Sequence, residues 1–293
     1  MPAGIVDNEN SSKMVVIPAP HFNLALTLDS GQVFHWHPAG AGWVGTIGLQ
    51  PVYVEQSGKS LRVPAGMEML VRQYFALNHA LPEIYETFPK DRDMTLATSF
   101  CYGLTIIQQP VWECLATFIT SSLKQVAHIR QMSLAIRKTF GEPVFYPGLE
   151  LHAYPSPERL AKATEKQLRD CKLGFRAKYL VGAARMIAEG KIDLECVAAM
   201  DDTEALAELC KLPGIGAKVA NCVLLFAYGR LKAFPIDVWI ERVLREIYFK
   251  GKRKVTAKRL KRFSQEYFGP YGGYAQQYLF HHARKTYRLA AGS

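Results

Sequence analysis

No apolar run in the 293 residues approaches the roughly 18 needed to cross a bilayer, so a membrane span is not expected. The six cysteines, at 101, 114, 171, 196, 210 and 222, form no C-x-x-C pair, and no metal-ligand or iron–sulfur spacing occurs. Most of them sit inside apolar helical patterns, as reduced core cysteines of an intracellular protein do. Neither a metal nor a diffusible cofactor is therefore expected. There is no internal repeat and no low-complexity segment, which sets aside solenoids and compositional linkers. The opening residues carry Asp7 and Glu9 and no continuous apolar stretch, so a secretory signal is not expected either.

What is present is a chain that is 49% apolar, enough for one large or two ordinary domains with a sizeable core. The net charge is +10, and most of it comes from residues 250–262, KGKRKVTAKRLKR, with eight basic residues and no acidic one. So local an excess suits a polyanion-facing patch. A solvated helix face or a nuclear-import signal would look the same.

Residues 21–28, HFNLALTL, alternate with Phe22, Leu24, Leu26 and Leu28 on one side, and predict a half-buried strand. Short β-type runs follow at 33–37, 43–47, 52–55 and 61–63, divided by Gly, Pro and Ser-Gly turn signals. From Met67 the period lengthens towards 3.6, predicting one or two helices packed on the sheet. Beyond Pro110 two helices are expected, broken near 121–124. A Pro-rich loop at 143–157 comes next, then helices at about 157–171, 176–189, 203–211, 217–228, 238–249, 255–268 and 273–287. Sheet first and helices afterwards predicts an α+β chain: an antiparallel-sheet domain at 1–107 and an all-α domain at 108–293.

The second domain is organised around residues 212–237, LPGIGAKVANCVLLFAYGRLKAFPID. This stretch reads as a helix, a tight hairpin and a second helix. Gly214 and Gly216 would leave backbone N–H groups unpaired at a helix N-terminus, where a phosphate can accept them. Lys218 falls in the first turn of that helix. Acting as a nucleophile it must lose its proton, which burial and cationic neighbours favour, so it is expected at a pocket mouth. Cys222 lies four residues on, on the same face, either as a small core residue or as a soft wall beside the amine. Asp237 suits a helix N-cap, and a carboxylate fixed in that way can also face a developing cation. Near the end, FGPYGGYAQQYLFHH places Gln276 and Phe280 at i and i+4. An amide and an aromatic plane fit the edge and the face of a nucleobase, although such spacing also serves core packing.

LPGIGAKVANC followed by PIDV, with lysine and aspartate 19 positions apart, resembles the helix–hairpin–helix, Gly/Pro-Asp superfamily of DNA glycosylases. SGQVFHW at 30–36, QPVWECLATFITSS at 109–122, LGFRAKY at 173–179 and GPYGGYAQQYLF at 269–280 are similar to the eukaryotic-type 8-oxoguanine DNA glycosylases. The likeness runs through nearly the whole chain. It implies a base-excision-repair enzyme, working as a monomer wherever the cell keeps its DNA, on double-stranded DNA containing 8-oxoguanine. Lys218 would attack C1′ of the flipped nucleotide and leave a Schiff base, with β-elimination as an associated lyase step. Asp237 would stabilise the cationic sugar. The base would lie between Cys222 and Phe280 with Gln276 on its Watson–Crick edge, and Gly31 would offer its carbonyl to the N7–H that guanine lacks. Phe175 would fill the space left by flipping, and Arg176 would meet the estranged cytosine.

Four positions depart from the family pattern: Leu123 and Lys124 replace asparagines, His128 stands where an arginine reads the opposite cytosine, and Trp239 replaces a histidine. A weaker preference for cytosine is expected. Two other readings stay open. A superfamily member acting on alkylated bases needs the aspartate but commonly lacks the lysine. A non-catalytic DNA-binding protein needs the glycines but has no use for either.

Overall fold

The computed structural model describes residues 13–122, 124–251 and 255–286. Five strands, Met14–Pro18 (β1), His37–Ala39 (β2), Gly42–Ile47 (β3), Gln50–Ser57 (β4) and Ser60–Pro64 (β5), form one antiparallel sheet in the order β1-β5-β4-β3-β2. The pairs Ala39↔Gly42, Ile47↔Gln50 and Ser57↔Ser60 close three hairpins over two residues each. Val52, Val54, Leu61 and Val63 are fully buried on one face, as a period of two requires.

The expected strand at 21–28 is instead the helix Leu24–Asp29 (α1). Its leucines fit either period, and Asn23 decides the matter by capping the helix, its side chain accepting from the Leu26 N–H at 3.0 Å. Leu24, Thr27 and Leu28 are then buried at helical spacing. Residues 33–36 were also expected as strand; they are buried, but the ladder begins only at His37. The first strand, β1, was not foreseen, because only Ile17 in it is clearly turned to the core.

Glu68–Tyr74 (α2) packs on the sheet through Val71 and Tyr74, beside Trp36, whose indole N–H donates to the Tyr74 hydroxyl at 3.1 Å. One or two helices were expected here, packed on the sheet; there are three, and the next two are Leu81–Thr87 (α3) and Arg92–Phe100 (α4). Their buried residues Leu81, Ile84, Phe88, Met94 and Ala97 belong instead to the larger core shared with the remaining helices.

Val111–Ser121 (α5) and Val126–Phe140 (α6) break where expected. The loop foreseen at 143–157 contains a hairpin, Pro143–Tyr146 (β6) with Leu149–His152 (β7). The helix foreseen at 157–171 is two, Pro157–Ala161 (α7) and Glu165–Asp170 (α8), because Thr164 starts a new one with a capping box to Gln167. There follow Ala177–Ala188 (α9), Leu194–Ala199 (α10, not foreseen), Asp202–Leu209 (α11), Ala217–Phe226 (α12), Val238–Val243 (α13), Ala257–Tyr267 (α14) and Gly272–Thr286 (α15), which lies along α4.

Within the basic run, Lys258, Arg259, Lys261 and Arg262 are exposed on α14. Lys252, Arg253 and Lys254 lie outside the described residues, as does Leu123. No helix among the described residues is long and apolar enough to cross a membrane.

Candidate active site

The hairpin between α11 and α12 owes its shape to Gly214. Its φ is +79°, and a Cβ there would stand 2.7 Å from Cβ of Tyr179. Gly216 has ordinary extended backbone and serves as the N-cap of α12 with no side-chain hydrogen bond. The exposed end of α12 thus carries no side chain between its first-turn N–H groups and an approaching anion.

From this anchored start, α12 turns Lys218 and Cys222 towards a cavity of about 720 Å³ lined by Gly31, Phe34, Phe118, Lys218, Asp237 and Phe280, among others. A recess of about 40 Å³ shares five of these residues (Phe34 is the exception) and adds Cys222 and Gln276. All six residues expected to act on the lesion therefore meet in one place.

Lys218 is half-buried, its Nζ 5.2 Å from the centroid of Phe118, whose ring stacks on Phe226. Cys222 is buried; burial pushes its thiol pKa up, and the neighbouring Lys218 opposes this by charge and hydrogen bond. Asp237 caps α13, accepting from the Ile240 N–H at 2.8 Å. Burial raises its pKa above the usual carboxylate value, while the Ile240 N–H and Lys218 work in the other direction. Cap and counter-charge are thus one carboxylate.

Gly31 has φ +88°, and a Cβ on it would press to 3.3 Å from Cε1 of Phe280. Its neighbours are fixed on both sides. Gln277 Nε2 donates to the Ser30 carbonyl at 2.9 Å, and Gln109 Nε2 to the Gln32 carbonyl at 3.0 Å. The Gln32 side chain donates to the Thr105 carbonyl and accepts from the Ile107 N–H. Gln276 differs from these glutamines: its Oε1 is enclosed and has no hydrogen-bond partner among the described residues.

The residues expected at the opposite strand are less concentrated. Phe175 is 56% exposed, as a wedge must be. Arg176 is buried, with Nε and Nη2 both donating to the Ser122 carbonyl and the guanidinium 4.3 Å from the Phe175 ring. It holds the α5–α6 connection, which forms one wall of the cavity, and is not a free surface arginine. His128 is exposed in the first turn of α6, and Trp239 lines the cavity half-buried.

Sequence reasoning missed several residues. Phe34, Phe118 and Arg284 line the cavity, and Arg284 continues the four-residue spacing of Gln276 and Phe280. Outside the cavity lining, Glu113 on α5 pairs with Arg137 on α6 and lies 3.3 Å from His35 Nδ1, all three buried. Arg137 also donates to Thr46 Oγ1 and to the His152 carbonyl. His35 Nε2 faces the Thr46 carbonyl at 2.8 Å and so must carry a proton. Burial and Arg137 lower the His35 pKa, and burial raises that of Glu113. With Nε2 occupied by the Thr46 carbonyl, Nδ1 is the ring atom turned to Glu113. No local motif announces this network.

Residues 14–115 match the family model described as 8-oxoguanine DNA glycosylase, N-terminal domain. Residues 117–270 match the HhH-GPD superfamily base excision DNA repair protein model. A probable N-glycosylase/DNA lyase of Methanothermobacter thermautotrophicus is 27% identical over 92% of this chain and 96% of its own. Among solved structures, MBOgg1 in complex with a low-affinity DNA ligand is 31% identical, with a TM-score of 0.89 over 94% of this chain and 97% of that one. The Clostridium acetobutylicum 8-oxoguanine glycosylase/lyase, in complex with duplex DNA bearing cytosine opposite 8-oxoguanine, is 29% identical with a TM-score of 0.85, covering 92% of this chain and 98% of that one. The chain belongs to the HhH-GPD superfamily of base excision DNA repair proteins and, through its N-terminal domain, to the 8-oxoguanine DNA glycosylases within it.

Proposed function

We propose that this protein flips 8-oxoguanine out of duplex DNA, removes it and cleaves the resulting site, acting as a monomer. The observation that carries the reading is the convergence of Gly31, Lys218, Cys222, Asp237, Gln276 and Phe280 on one cavity and its recess. Neutral Lys218 Nζ attacks C1′ as the C1′–N9 bond breaks, and the departing base takes the bonding electrons and a proton. Asp237 bears negative charge beside the sugar as it becomes cationic. Loss of a proton from nitrogen and opening of the sugar ring give the Schiff base. Removal of a C2′ proton then expels the 3′ phosphate by β-elimination.

Selectivity follows from donors and acceptors. Guanine N7 is an acceptor and is repelled by a fixed carbonyl, whereas 8-oxoguanine carries N7–H and can donate to it. Gly31 lets its backbone come that close, and the glutamines on either side keep its carbonyl in place.

Borohydride reduction during incubation with an 8-oxoguanine duplex tests the reading. A covalent adduct is expected for the wild type, absent in Lys218→Gln and retained in Lys258→Gln on the basic helix. Base release without an adduct would point to a water-directed glycosylase, and neither product to a DNA-binding protein without catalysis.

A further inference from the structure

Gln276, Phe280 and Arg284 form a stripe along α15, one turn apart. Gln276 faces the recess, Phe280 borders both recess and cavity, and Arg284 lines the cavity. The Arg284 side chain is only 14% exposed. Its guanidinium carbon lies 5.8 Å from the Phe280 ring centroid, within cation–π range. Nη2 donates to the main-chain carbonyl of Asp29, two residues before Gly31, and lies 3.1 Å from His281 Nδ1. Nη1 stands 3.5 Å from where a Cβ on Gly31 would project, the point that Phe280 approaches to 3.3 Å. One guanidinium therefore touches both the aromatic wall and the turn carrying the base-reading carbonyl.

Simple packing or ion pairing does not account for this arrangement. The Asp29 carboxylate is 3.9 Å from Arg284 and only 2.6 Å from Lys285, so the acid is better matched to the lysine. Arg284 Nε is buried with no partner among the described residues, so the guanidinium is not placed there by a full set of hydrogen bonds. A planar fork can bind a carbonyl at one edge while its face lies on a ring, which an ammonium cannot do.

We propose that Arg284 is a specificity-determining positioning residue that clamps Phe280 to the Gly31 turn, so that the stacking wall and the N7-reading wall hold a fixed spacing across the two domains. The inference rests on the proposed function. Without the clamp the two walls separate and the flipped base is held less exactly over Lys218. An abasic site presents no base, so its cleavage depends on Lys218 and Asp237 but on neither wall.

The test compares Arg284→Met and Arg284→Lys with wild type for single-turnover excision of 8-oxoguanine and for cleavage of a preformed abasic duplex, using the same preparations. The ratio of excision to abasic-site cleavage is expected to fall about 10- to 100-fold in Arg284→Met, the scale of a 1 Å misplacement. Arg284→Lys should restore only a minor part of it. An unchanged ratio, whether both activities persist or fall together, would overturn the clamp, as would full rescue by lysine. Wild-type protein that cleaves abasic sites but leaves 8-oxoguanine in place would overturn the proposed function and the clamp with it.

Discussion

Replacing Arg137 by methionine keeps most of the side chain's volume and removes its charge from a site where the guanidinium is 3% exposed and its partner Glu113 7% exposed. No surface screening discounts the loss. Glu113 is left with His35 alone, and the acceptors Thr46 Oγ1 and the His152 carbonyl lose their donor. Breaking a buried pair from one side costs about 3–5 kcal/mol. With about 2.1 cal/mol/K of unfolding entropy per residue, the 293-residue chain has roughly 0.6 kcal/mol/K at its midpoint, so Tm should drop by about 5–8 °C. Glu113→Gln should be similarly costly, because it strands the arginine. The double variant should lie closer to wild type than the sum of the singles, with a coupling of about 2 kcal/mol or more in a double-mutant cycle. Thermal denaturation by circular dichroism, with calorimetry of the same four proteins, measures these quantities. An Arg137→Met variant within about 1 kcal/mol of wild type, or additive singles, would refute the reasoning.

Two further predictions concern DNA. Gly214→Ala should destabilise by about 1–2 kcal/mol from its left-handed backbone alone, with the Tyr179 overlap added. Gly216→Ala, whose Cβ meets open space, should cost only the N-cap preference of about 0.5–1 kcal/mol yet weaken duplex binding. Denaturation and fluorescence anisotropy separate these effects, and equal stability loss in both variants would contradict the assignment. With Arg176 committed to Ser122 and His128 in place of an arginine, 8-oxoguanine should be excised at similar rates opposite all four bases. A strict cytosine requirement in single-turnover assays would sink that expectation.

The cluster at the candidate site was legible because its parts sit at spacings with local meaning. Lys218 and Cys222 share a helix face, and so do Gln276 and Phe280; Asp237 precedes its helix as a cap. Arg284 extends the second spacing by one turn, but an arginine near the end of an amphipathic helix has an ordinary solvent-facing explanation until its neighbours are known. The Glu113–Arg137–His35 network was not legible, since its members come from three segments that only tertiary packing brings together. In the fold, failures cluster where burial gives a weak or ambiguous pattern. β1 and the β6–β7 hairpin turn few side chains inward, and α1 carries leucines compatible with two periods until Asn23 chooses between them. One or two helices were foreseen where α2, α3 and α4 stand, and no local signal says which core α3 and α4 join.

Four buried glutamines show how the site combines rigidity with selectivity. Gln32, Gln109 and Gln277 spend their side-chain hydrogen bonds on main-chain groups or Ser30, and between them fix the segment on both sides of Gly31. Folding alone satisfies those bonds, so the carbonyl direction is set before any DNA arrives. Gln276 sits among them with an Oε1 that has no hydrogen-bond partner among the described residues, so its acceptor is not spent on the fold. On the proposed function, a flipped base whose edge donates to that oxygen would gain a hydrogen bond that a base unable to donate, or an abasic sugar, would not. Gly31 and Gln276 would, on the same proposed function, discriminate by different means: the glycine turn would repel the wrong acceptor, and the glutamine would favour the right donor.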